Sequence, residues 1–269
     1  MMLRMQPIEL AALRASARLM GELPDHMGQF RVAQWYWWRR RPGHRTLPQR
    51  LADGTRLELD LGDRTQALAY LTRRYCDRLV GQITTGLPPG GLFFDVGANV
   101  GLVTFQVANR RPDVRIVAFE PNPPAVAAWE RNRKLCVSQL VTLTDAAVTD
   151  GVGTVIFDAP SSDLGAGRAV TAGGGVEVST TTLDHYCSSQ SIDRIDVVKV
   201  DVEGSEAKVL VGARRLLAAG KIRLLIVEFN DDHLSAGGES RPVMVQWLAD
   251  RGMVPRGWIG DDFAFVPGG

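Results

Sequence analysis

Cysteine is scarce in this chain of 269 residues: only Cys76, Cys136 and Cys187 are present. They are widely spaced, odd in number and never at metal-ligand spacing. That excludes a cysteine-built zinc site and a disulfide framework, and the thiols are expected to be reduced and mostly buried. Also missing is any uninterrupted apolar run of about 18 residues, so no transmembrane helix is expected. The first 20 residues set Glu9, Arg14 and Arg18 inside their apolar pattern and do not resemble a secretory signal, which points to the cytoplasm. There is no internal repeat. Net charge is nearly absent as well, with 31 Lys and Arg against 30 Asp and Glu, so bulk charge gives no case for a nucleic-acid partner.

What is there is an ordinary globular composition, 45% hydrophobic and 23% charged. The length allows one large α/β domain, or one core with a smaller appendage. Charge is unevenly spread: residues 1–80 hold 14 basic and 8 acidic residues, whereas the remainder holds 17 and 22. The basic front reads as an N-terminal helical and strand extension over residues 1–80, a cap for the acceptor side. The acidic body, 81–269, reads as the main domain.

Within the extension, residues 7–21 have helical spacing, 55–61 (TRLELDL) alternate as a strand, and 65–80 read as one helix. Its oddest stretch is RVAQWYWWRRRPGHR at 31–45. Stacking against a sugar, binding phosphate through arginine, and touching RNA or a membrane surface are all open to it. The bland alternative, which is preferred, is a helix that buries Trp and Tyr while its arginines face solvent.

From Leu92 onward, nearly continuous apolar strands alternate with helical segments: LFFDVGA, RIVAFEP, LVTLTDAAV, DVVKVDVEG and IRLLIVEFN. Such alternation implies a mostly parallel, doubly wound sheet covered on both faces. TVIFD (154–158) and VEVSTTTL (176–183) interrupt it as a hairpin or edge strands, and the Gly-rich stretch 161–175 reads as a lid or a surface hairpin.

In open parallel sheets ligands sit beyond the carboxyl ends of the strands. Acidic residues stand at several of those ends. Asp95 leads a glycine turn, Gly97-Ala98-Asn99-Val100-Gly101, with G-x-x-x-G spacing rather than the dinucleotide G-x-G-x-x-G. An acid is awkward beside a pyrophosphate but suits a cationic amino-acid ligand; the bland alternative is a tight strand-to-helix connection. Glu120, at the next strand end, suits the paired hydroxyls of a ribose, with Asn122 close enough to assist. Asp145 could accept from an adenine amine while Ala146 and Ala147 leave room for a flat ring; a turn or N-cap role is nearly as good. A positively charged amino acid, a ribose and an adenine are the parts of S-adenosylmethionine.

At this point the sequence resembles the FkbM-type S-adenosylmethionine-dependent methyltransferases over roughly residues 55–230. The likeness rests on FFDVGANVGLVTF, IVAFEPNP, TLTDAAVTD, TTLDHY, and VVKVDVEGSEAKVLVGA followed by LLIVEFN, in that order. It implies a Rossmann-like class I methyltransferase fold and methyl transfer to hydroxyl groups of sugars and natural products. By that likeness Asp95, Gly97, Asn99 and Gly101 contact the methionine end, Glu120 the ribose and Asp145 the adenine. No family motif is matched in the first 50 residues or after residue 230.

On the acceptor side the candidate bases at the ends of the fourth and fifth strands are Asp201, Glu203, Glu206, Glu228 and His233, of which Asp201, which ends the fourth strand, Glu203 in the turn beyond it, and His233 are preferred. Glu206 reads as first-turn helix charge, and Lys199 as the partner of a carboxylate. Asp201, Glu228 and Asn230 together form an oxygen-donor set suited to Mg²⁺, similar to the pattern of catechol-type methyltransferases with Glu in place of Asp. The expected partner is a small-molecule or glycan hydroxyl acceptor, with a homodimer open. Rivals are methyl transfer to nitrogen or a carboxylate, and a catalytically silent binding module of the same fold.

Overall fold

The computed structural model describes residues 11, 13, 15–19, 28–40, 42–158, 168–170, 175–230, 240–259 and 262–268. His233, and the Gly-rich stretch except 168–170 and Gly175, lie outside them. The chain divides into two compact units, Met1–Cys76 and Asp77–Gly269.

In the first unit, α1 (Gln29–Arg40) precedes a hairpin of β1 (Thr46–Arg50) and β2 (Arg56–Asp60), and α2 (Arg64–Thr72) follows. The alternation read in TRLELDL turns Leu57 and Leu59 into the core, where they join Leu51 and Leu61. Asp63 caps α2 by accepting from the Gln66 amide at 2.8 Å. The single helix expected over 65–80 is broken: Arg73 (φ 57°) and Cys76 (φ 46°) take left-handed backbone, and a new helix starts at Asp77.

The expected burial of the α1 aromatics is half right. Gln29 and Ala33 face inward, and Trp37 is half-buried, its Nε1 donating to the Leu61 carbonyl at 2.9 Å. Trp35 and Trp38 stay 62% and 61% exposed. All three cysteines are free, but only Cys187 is buried; Cys76 is exposed, contrary to expectation.

The second unit begins with α3 (Asp77–Gly86). The alternation then runs β3 (Leu92–Val96), α4 (Leu102–Arg110), β4 (Arg115–Phe119), α5 (Pro123–Arg133) and β5 (Val141–Thr144). After an inserted small sheet it resumes with α6 (Leu183–Ser189), β10 (Ile195–Val200), α7 (Glu206–Gly212), α8 (Arg214–Ala218) and β11 (Ile222–Glu228). The insertion comprises β6 (Ala147–Val148), β7 (Gly153–Asp158), β8 (Arg168–Val170) and β9 (Val176–Thr181), in the order β6-β9-β7-β8. β7 and β9 are its antiparallel core, where the sequence showed a hairpin or edge strands.

The chain closes with α9 (Arg241–Ala249), β12 (Met253–Ile259) and β13 (Asp262–Pro267). The main sheet is ordered β12-β13-β11-β10-β3-β4-β5, parallel from β11 to β5 and antiparallel where β13 slots beside β11. Strands buried on both faces explain the unbroken apolar runs: Phe93, Phe94, Val197, Val198 and Ile226 are fully enclosed. Strand order reverses between β3 and β10, which places a crevice at their carboxyl ends. Among the described residues, no helix is long and apolar enough to cross a membrane.

Candidate active site

The β3 and β10 ends meet closely. Lys199 pairs in register with Asp95, Val200 with Val96, and the Asp201 amide donates to the Val96 carbonyl at 3.1 Å. Gly97 sits against this junction with φ 81°; a Cβ there would lie 1.8 Å from the Asp201 carbonyl oxygen. Only glycine fits such a contact and such a backbone. Gly101 (φ 87°) is equally constrained, since its Cβ would meet the Phe105 ring at 2.2 Å.

Between these glycines the turn is tied to the end of β4. The Gly97 and Ala98 amides both donate to the Phe119 carbonyl at 3.0 Å. The Asn99 amide donates to Glu120 Oε2, and the Asn122 amide to Oε1, each at 2.8 Å. Glu120 is thus a buried carboxylate gripping two loops. Burial pushes it up to about 7, opposed by those two amides and by the Lys199 charge, and reinforced by Asp95. Each of its oxygens keeps a lone pair beyond the one engaged.

Asp95 is fully buried, and its Oδ2 accepts from the Thr104 hydroxyl at 2.5 Å. Its Oδ1 lies 3.5 Å from the Lys199 ammonium, close enough for charge attraction but without a hydrogen bond. Asn99 Oδ1 is likewise buried with no hydrogen-bond donor. These two acceptors without a hydrogen bond, one near the end of β3 and one on the glycine turn, fit a cationic, hydrogen-bonding ligand.

Lys199, 3% exposed, is held at 3.0 Å by Asp201 as well. Glu228, at the adjacent end of β11, is pushed up to about 9. Burial is the main cause, followed by the charge of Asp201, a hydrogen bond to it, and the charge of Glu203, while Lys199 opposes them. Glu228 therefore holds its proton more tightly than an ordinary carboxyl, in a hydrogen bond shared with Asp201. The structure brings Lys199, Asp201, Glu203 and Glu228 into one electrostatic cluster. Glu203 rides a sharp turn, with φ 53° at Glu203 and 97° at Gly204.

That turn is secured by Glu206, the first-turn acid of α7, whose carboxylate is buried and folds back onto the preceding residues. Glu206 is 2% exposed, and its Oε1 accepts from the Val202 and Gly204 amides at 3.1 Å each. Burial raises its pKa, against the pull of those amides. Sequence reasoning missed this and also missed Thr104, whose only signal was its place inside the DVGANVGLVTF motif.

The Mg²⁺ reading is not supported. Among the described residues no group of three His, Cys, Asp or Glu is placed to hold a metal, and Asn230 is exposed beyond β11. The Lys199 ammonium already stands where the carboxylates would want positive charge. On the other side of the crevice, Ala146 and Ala147 line an apolar cleft with Gly97, Phe119 and Val202, whereas Asp145 is exposed.

Residues 95–255 match the family described as methyltransferase FkbM domain. The chain is 27% identical over 194 residues to the 2-O-methyltransferase NoeI of Sinorhizobium fredii, covering 64% of this chain and 78% of that protein. It is 26% identical over 139 residues to the hexuronic acid methyltransferase AglP of Haloferax volcanii, covering 52% and 56% respectively. With the 31-O-demethyl-FK506 methyltransferase FkbM of Streptomyces tacrolimicus it shares 25% over 188 residues, 58% of this chain and 72% of the relative. The family match spans well over half of the sequence and contains both strand ends that meet at the crevice, so the chain belongs to the FkbM methyltransferase domain family and is an S-adenosylmethionine-dependent methyltransferase of Rossmann-like fold.

Proposed function

We propose that this enzyme methylates a hydroxyl group of a sugar, glycan or glycosylated natural product, with Asp201 as the base. The observation that carries this reading is the Asp201 carboxylate itself. It stands at the crevice beside the Gly97 turn, 28% exposed at its side chain, steadied by Lys199 and by its hydrogen bond with Glu228. An alcohol acceptor must lose a proton on methyl transfer, whereas a carboxylate acceptor, already an anion, makes no such demand. NoeI, a 2-O-methyltransferase, supports an oxygen acceptor, and AglP, a hexuronic acid methyltransferase, supports a sugar.

S-adenosylmethionine, when bound, supplies a methyl carbon already activated by its sulfonium. The residues fit its parts. The orphaned Asp95 Oδ1 and Asn99 Oδ1 suit the ammonium of its methionine end, with Gly97 and Gly101 permitting close approach. Glu120, aided by Asn122, accepts from ribose hydroxyls through its spare lone pairs. Ala146 leaves the cleft wall flat enough for an adenine, which Asp145 meets at the exposed edge. Asp201 then orients the acceptor hydroxyl and receives its proton, and Glu203 on the adjoining turn adds negative charge beside it. Fixing the acceptor in line contributes about 7–11 kcal/mol through effective molarity, against roughly 10²–10⁴-fold from the base.

The test is a methyl-transfer screen across hydroxyl-bearing glycans and glycosides, followed by Asp201→Asn on the acceptor found. The substitution is expected to lower kcat by about 10²–10⁴-fold and to leave S-adenosylmethionine affinity nearly unchanged. A rate within a few-fold of wild type would refute the assignment of the base. Transfer only to amines or carboxylates would refute the acceptor class.

A further inference from the structure

The methyltransferase chemistry leaves the outward face of α1 unused. Between Asp25 and Asp53 the sequence runs 27 residues without an acid, and it holds six arginines there: Arg31, Arg39, Arg40, Arg41, Arg45 and Arg50. Along α1 the inward arc is taken by Gln29, Ala33 and Trp37, whose polar groups bond back into their own unit. With about 100° between successive residues, Arg31, Trp35, Trp38 and Arg39 fall on the opposite arc. Phe30 is 44% exposed, Val32 45%, Trp35 62% and Trp38 61%. The outer face of the helix therefore interleaves large aromatics with arginines.

We propose that this face docks the protein on an anionic membrane surface. Exposed tryptophans prefer the boundary between headgroups and acyl chains, where the ring is apolar and its N–H wet. Arginines on either side can extend to lipid phosphates while their stems lie along the rings. At 12 residues α1 is about 18 Å long, short of the ~30 Å hydrocarbon core, so it lies in the interface plane rather than crossing it. A helix face is convex, which suits a surface better than a sugar; stacking on a sugar needs a walled cleft. The acid-free run removes the repulsion that would otherwise oppose phosphate-rich lipid.

The test is co-sedimentation of the full chain with vesicles of phosphatidylcholine alone and of phosphatidylcholine mixed with phosphatidylglycerol. Binding is expected to the mixed vesicles and to weaken with salt. Arg31→Gln with Arg39→Gln should lower it about 30-fold, two basic contacts being removed. Trp35→Ser with Trp38→Ser should lower it at least about tenfold, by loss of buried apolar area. Unchanged melting of both variants separates lost docking from lost folding. In the wild type, brominated lipid should quench tryptophan fluorescence, and Trp35→Phe with Trp38→Phe should abolish most of that quenching. Failure to sediment with the mixed vesicles, equal binding to both vesicle types, or wild-type binding by both variants would overturn the proposal. So would tight binding of single-stranded RNA that the same variants abolish, since the face would then belong to nucleic acid.

Discussion

Replacing Lys199 with Met tests the electrostatic frame of the site without touching its outer surface. The side chain is 4% exposed and its ammonium is shared between Asp95 at 3.5 Å and Asp201 at 3.0 Å. Methionine keeps the stem and removes the charge, so the apolar contacts of β10 survive. What is lost is compensation for Asp95, which is fully buried and retains only the Thr104 hydroxyl on its other oxygen. Removing one partner of a buried ion pair typically costs about 3–5 kcal/mol, because the remaining charge is stranded. For a unit of this size each kcal/mol moves Tm by about 2–4 °C, so Tm should fall by about 6–20 °C. Scanning calorimetry of wild type and variant at neutral pH measures it. The stranded-charge mechanism also makes a second demand: Asp95→Asn should restore much of the loss when combined with Lys199→Met, giving a coupling of about 1 kcal/mol or more in a double-mutant cycle. A drop under about 2 °C, or purely additive effects, would refute it and leave Lys199 as a packed stem whose charge reaches solvent.

Three further outcomes follow from the same geometry. Glu120 is held near 7, so its acceptor form fills in as pH rises; S-adenosylmethionine affinity should increase about five- to tenfold from pH 6 to 8, and Glu120→Gln should weaken binding and flatten that profile in calorimetric titrations. Glu228 has its pKa raised above the unfolded value, so the stability it contributes is complete below the ordinary carboxylate range and is lost as pH rises through about 9; Glu228→Gln, whose amide can still donate to Asp201, should reduce that alkaline loss in melts taken across the range. Glu206→Ala strands the Val202 and Gly204 amides and should destabilise the unit by about 2 kcal/mol or more, with slower turnover because the turn carrying Glu203 loosens; wild-type melting would contradict that account.

The alternation of apolar strands and helices was readable in the sequence because both faces of the main sheet are covered, and each strand therefore announces itself by an unbroken run. β12 and β13 escaped for the opposite reason. In MVPRGWI the apolar residues are interrupted by Pro255, Arg256 and Gly257, and in DFAFVP the apolar run is only four residues long, patterns equally suited to a loop until pairing between β11 and β12 makes β13 a strand. The break at Arg73–Cys76 was hidden because nothing in TRRYC forbids a helix; the two left-handed residues that stop it are neither Gly nor Asn.

The site divides along a similar line. Asp95, Gly97 and Glu120 were legible because each sits at a boundary between strand and helix, where position in the chain nearly fixes position in space. Glu206 was not, because a first-turn glutamate gives the same sequence signal whether its carboxylate meets water or folds back onto the preceding turn. What separates the cases is burial, and burial depends on the neighbouring strand ends. Lys199 was legible in kind but not in partner: a lysine inside VVKV calls for a carboxylate, and only the fold supplies Asp95, which β3 sets opposite it, and Asp201, which the chain turns back on it. A cation within the crevice thus comes from the protein. This gives the acidic strand ends a reason to persist without a divalent ion, and chelator treatment is accordingly expected to leave turnover unchanged.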